Sequence, residues 1–67
     1  MEPESLIKVG RDRLNLKQTD LAKILGVTKQ SVNCWEKGKT TPRYTHLIKL
    51  AELFGETTDR LLHANKL

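Results

Sequence analysis

The sequence predicts an all-α fold, five short helices packed around one core. Apolar residues recur at spacings of three and four, no stretch alternates as a strand would, and Asn or Gly stops the periodic runs. A chain of 67 residues allows one domain, residues 1–67, with a small core.

Each helix has its own signals. Pro3 suits a first turn, Glu2 and Glu4 flank the positive helix end, and Ile7 and Leu14 lie two turns apart, so the first helix is read over residues 4–14. Asn15 tolerates a left-handed stop, after which Leu16 is expected to return to the core. The second helix runs from Gln18 to Leu25, with Leu21, Ala22 and Leu25 on one face and Gly26 ending it. Thr28 caps a third helix over residues 29–37, whose inner stripe is Val32, Trp35 and Glu36 and which Gly38 terminates. The short turn between these helices forces a steep crossing, and Ala22 supplies the small residue that a close crossing needs. Pro42 precedes or opens a fourth helix with Tyr44, Leu47, Ala51 and Phe54 inward, closed by Gly55. A last helix over residues 58–63 carries Leu61 and Leu62, with Thr57 or Thr58 as cap and Asp59 in its first turn.

Composition narrows the function. The lone Cys34 excludes an intramolecular disulfide and a four-cysteine zinc module, and no apolar run reaches membrane-span length. The acidic start Met1-Glu2-Pro3-Glu4 lacks the basic region of a secretory signal, which with the free cysteine points to the cytoplasm and away from membranes. Cys34, His46 and His63 are far apart and sit in no nucleophile, zinc or phosphate-loop signature, so no catalysis, metal or cofactor is expected; both histidines read as surface residues, His63 near the last helix's negative end. Of the net charge of +4, residues 28–49 contribute +4, residues 1–27 +1 and residues 50–67 −1. Such a basic middle third fits either a polyanion-binding face or plain solvated surface.

From Gln18 to Trp35 the pattern Gln-Thr-Asp-Leu-Ala, three residues, Gly-Val-Thr-Lys-Gln-Ser-Val, two residues, Trp, followed by Glu36-Lys37-Gly38 and Pro42, resembles the Cro and C1-repressor (XRE) type of helix-turn-helix domain. The likeness extends over residues 7–62 and rests on Ala22, Gly26, Val32 and the Trp35-to-Gly38 ending. It implies a lambda-repressor-like domain that binds operator DNA, usually as a symmetric dimer, with its third helix in the major groove.

The outward strip of that helix is Lys29, Gln30, Asn33, Cys34 and Lys37. By the resemblance Lys29, Gln30 and Cys34 stand at base-reading positions, with Asn33 beside them. Gln30 suits adenine and Lys29 suits guanine, while the Cys34 thiol, where relatives carry Arg or Gln, suits a thymine methyl. Phosphate contacts are expected from Lys17, Gln18, Thr28, Ser31, Lys37, Lys39, Thr40 and Arg43, which flank the helix. Lys17 stands where relatives place a capping Ser, Thr or Asn, and Arg43 where they send an arginine toward the minor groove. Glu36 turns inward beside Trp35, where a charge alone would be costly, and the resemblance, in which relatives pair this Glu with the Arg at the position of Arg11, implies a structural ion pair between Arg11 and Glu36.

The resemblance therefore implies double-stranded DNA as partner and a Cro-like repressor, bacterial or phage-encoded, reading an inverted repeat. Relatives dimerise near the last two helices, here Glu56 to Leu62 with Leu67. Glu56 and Thr58 replace residues that are usually apolar, so the chain reads as monomeric or weakly paired when free and dimeric on DNA. Other readings are the DNA-binding piece of a longer repressor, an antitoxin, or a protein-interaction module of the same fold. Oxidation of Cys34 within the groove helix would block DNA contact and offers a redox hypothesis; unchanged DNA affinity after peroxide treatment would remove it.

Overall fold

The computed structural model describes residues 5–57 together with Arg60 and Leu61. Among these the structure is entirely helical: α1 (Leu6–Arg13), α2 (Gln18–Leu25), α3 (Lys29–Glu36) and α4 (Tyr44–Phe54). That is four helices where five were expected. Of the segment 58–63 only Arg60 and Leu61 are described; both are helical, and Leu61 is buried in the core. Thr57 caps this turn, its Oγ1 accepting the Arg60 N–H at 3.2 Å and its carbonyl the Leu61 N–H at 3.2 Å. The readings made for Thr58, Asp59, Leu62 and His63, and for Glu2, Pro3 and Glu4, lie outside the described residues.

α1 begins two residues later than the Pro3 signal suggested, because Ser5 Oγ accepts the Ile7 N–H at 3.1 Å and fixes the cap there. It ends at Arg13. Asn15 takes the left-handed conformation, φ 57°, and the Leu16 N–H returns to the Arg11 carbonyl at 3.0 Å. Two inward expectations fail here: Leu14 is the C-cap and 45% exposed, and Leu16 is only half-buried, outside the core. The position facing inward on this side of α1 is Gly10. A Cβ there would stand 2.6 to 2.8 Å from the Phe54 ring, so the glycine lets α1 and α4 approach across an aromatic face.

α2 has its expected bounds and ends at Gly26, whose φ of 71° lets the Val27 N–H reach the Ala22 carbonyl at 2.9 Å. Thr28 then caps α3, its Oγ1 accepting the Ser31 N–H at 3.1 Å. α3 stops at Glu36, one residue short of expectation, with Lys37 as its C-cap. In α4 the buried residues are Leu47, Leu50 and Ala51; Tyr44, expected inward, is 67% exposed because the first turn overhangs the core, and Leu50 fills the central place. The core gathers Ile7 of α1, Leu21, Ala22 and Leu25 of α2, Val32 and Trp35 of α3, the α4 residues and Leu61.

Candidate nucleic-acid interface

α2 and α3 pack on each other through Leu21, Ala22 and Leu25 on one side and Val32 and Trp35 on the other, all buried. Burial of that stripe fixes the rotation of α3 and decides which side chains face out. Lys29, Gln30 and Lys37 are exposed, and Ser31, Asn33 and Cys34 are half-buried. Gln30 and Cys34 lie one turn apart, as do Lys29 and Asn33, so they form two adjacent rows.

Beneath this face runs a polar network. Arg11 grips Glu36 with two parallel bonds, Nε to Oε2 at 2.8 Å and Nη2 to Oε1 at 3.1 Å, while its Nη1 donates to the Leu16 carbonyl at 2.8 Å. The Arg11 and Glu36 side chains are 12% and 6% exposed. Such burial is tolerable because the pair is bidentate and the Leu16 carbonyl takes a further guanidinium donor. The Glu36 hydrogen bond, with the nearby negative charges, holds the Arg11 guanidinium above its ordinary pKa. Gln18 Nε2 adds a third donor to Glu36 Oε1 at 3.1 Å and also donates to Asn33 Oδ1 at 3.3 Å. The network thus ties α1, the start of α2 and the middle of α3.

The expected phosphate-contact residues fall around the two helix starts and the loop after α3. Lys17 is the N-cap of α2 and makes no side-chain cap; its N–H is instead taken by Asp20 Oδ2 at 2.9 Å. Thr28 and Ser31 share a hydroxyl hydrogen bond of 3.0 Å at the start of α3. Lys37, Lys39, Thr40 and Arg43 are all exposed, and Arg43 is the N-cap residue of α4 behind the buried Pro42. Glu36 is the one acidic residue of the segment 28–49 and is turned inward, so every exposed charge there is positive.

Three features were not found by sequence reasoning. Gln18 is expected from the sequence at a phosphate, and no periodicity signals that its side chain bridges Asn33 and Glu36. Gly10 carries no local sign of the ring it meets. His46, read as a surface residue, is half-buried with its ring 5.8 Å from that of Trp35, and its Nδ1 is buried without a hydrogen-bond partner among the described residues. Its place one residue before the buried Leu47 was the available clue. No group of three or more metal-ligating side chains is gathered among the described residues.

A helix capped by Thr28, set across α2 by a left-handed glycine turn and showing a polar outer face, is the geometry of a helix-turn-helix reader. A family model described as helix-turn-helix matches residues 7–61. The chain belongs to the Cro/C1-type helix-turn-helix family. It is also similar to an uncharacterized HTH-type transcriptional regulator of Methanocaldococcus jannaschii, 45% identical over 49 residues, which span 73% of this chain and 74% of that protein. No solved structure matches the chain significantly. Membership of the Cro/C1-type family makes this a DNA-binding domain of transcription regulation with double-stranded DNA as its partner. Among the described residues no helix is long and apolar enough to cross a membrane.

Proposed function

We propose that the chain is a Cro-like, non-enzymatic repressor of the cytoplasm that reads an inverted-repeat operator through the major groove with α3. The observation carrying this reading is the outer face of α3, where exposed Lys29 and Gln30 open the helix, within a segment whose exposed charges are all positive. An eight-residue helix is about 12 Å long, comparable with the width of the major groove. Lys29, Gln30, Asn33 and Cys34 meet base edges. Lys17, Thr28, Ser31, Lys37, Lys39 and Thr40 meet phosphates, Gln18 does so through its main-chain N–H at the start of α2, and Arg43 reaches toward the flanking minor groove.

One such module offers a single reading helix, so two copies on half-sites about one DNA turn apart supply specific affinity. Pairing occurs on DNA, and the free chain is weakly associated. The nature of residue 56 supports that: Glu56 is half-buried and ion-paired with Arg60 at 3.4 Å, a polar element where a strong apolar dimer patch would be needed. Selection from random duplex DNA at about 0.15 M salt tests the proposal. Enrichment of an inverted repeat with half-sites one turn apart is expected; recovery of no preferred sequence would overturn it.

A further inference from the structure

Resting on that reading, we infer that Gln18 is a positioning residue, which locks the Asn33 amide with its N–H donors turned away from the protein and so makes position 33 select an acceptor edge on DNA. The polarity of the network dictates this orientation. Arg11 only donates, so both Glu36 oxygens accept. Glu36 in turn leaves no choice to Gln18, whose atom at 3.1 Å from Oε1 must be the donor Nε2. The second hydrogen of Nε2 goes to Asn33, whose atom at 3.3 Å must then be the acceptor Oδ1. Asn33 Nδ2 is left on the opposite arm of a planar amide and has no hydrogen-bond partner among the described residues.

An unrestrained asparagine presents either end of its amide and accommodates donors or acceptors alike. Held by Gln18, Asn33 offers N–H groups only on that arm, which match purine N7, guanine O6 or thymine O4 and oppose the cytosine amino group. Gln18 acts through Asn33 and spends both side-chain hydrogens inside the protein, so its side chain is no phosphate donor.

The test compares the full chain, Gln18→Ala, Asn33→Ala and the double variant by random-duplex selection, with affinity measured against salt and folding checked by thermal unfolding. Gln18→Ala is expected to lower discrimination at one base pair by about tenfold, the size of one lost base contact. The slope of log affinity on log salt should stay unchanged, and Gln18→Ala should have no further effect in the Asn33→Ala background. In the free parent chain the Gln18 side-chain amide protons should exchange more slowly than those of exposed Gln30. A uniform loss of affinity for all sequences with base preference intact would make the Gln18 side chain a phosphate contact and overturn the inference. Equal effects of Gln18→Ala in both backgrounds, or equal exchange for Gln18 and Gln30, would overturn it too. A parent chain that enriches no sequence would instead overturn the operator reading itself, with slow Gln18 exchange still reporting the network.

Discussion

Glu36 carries a charge that opposes phosphates, yet its side chain is buried and turned away from the exposed face of α3. A carboxylate on the outer face of α3 would repel phosphates; buried under Arg11 and Gln18 it ties α3 to α1 and to the start of α2. Removing one partner of such a pair leaves the other buried and uncompensated, at a cost of about 3 to 5 kcal/mol. Arg11→Ala should therefore lower urea stability by about 3 kcal/mol, and the double variant Arg11→Ala with Glu36→Ala should be more stable than Arg11→Ala alone. The raised Arg11 pKa adds a sign: its contribution to stability is complete below the ordinary guanidinium range and is lost only as pH rises through the raised folded-state value. An inward carboxylate demands a cation, and of the twelve in the sequence it was the family resemblance that singled out Arg11. The third member, Gln18, was not legible, since an amide at a helix start serves water, phosphate or protein equally well.

The elements divide in the same way. Stops and caps were legible where one residue carries the conformation: left-handed Asn15 and Gly26, and the Thr28 cap. Facing was less legible at helix ends. Leu14 and Tyr44 fit the apolar period, but each sits where its helix has already left the core, so the exposed ends went to them and the interior to Gly10 and Leu50. The Gly10 and Phe54 contact predicts a reversal of the usual helix preference. Alanine is a better helix former than glycine by about 1 kcal/mol, yet a Cβ at 2.6 Å from the ring overpacks by about 1 to 3 kcal/mol. Gly10→Ala should lower the melting temperature, and Phe54→Ala should remove the clash, so that Gly10→Ala no longer destabilises in that background. At α2 the balance lies elsewhere. Lys17 provides no side-chain cap, so Lys17→Ser should stabilise the fold by about 1 kcal/mol in thermal unfolding while weakening DNA binding through the lost cation.

At the scale of the whole molecule, the charge asymmetry seen in the sequence becomes a surface property once Glu36 is buried. Lys39→Gln should reduce the salt slope of DNA affinity by about one unit and weaken all sequences alike. Gln30→Ala should leave the slope near that of the parent and relax preference at one base pair by about 1 to 3 kcal/mol, read by competition between single-base variants of the selected site. The all-helical class was legible from the apolar period and its stops, whereas the count was not: among the described residues four helices stand where five were expected. The rings of α3 and α4 have one more consequence. Trp35 is the sole tryptophan, buried in the core and lodged against His46. Its fluorescence therefore comes from a single indole on α3, shielded from water when folded and exposed when the core opens. The chain thus carries an intrinsic optical gauge, with no attached dye, for the integrity of α3 and of the core behind it.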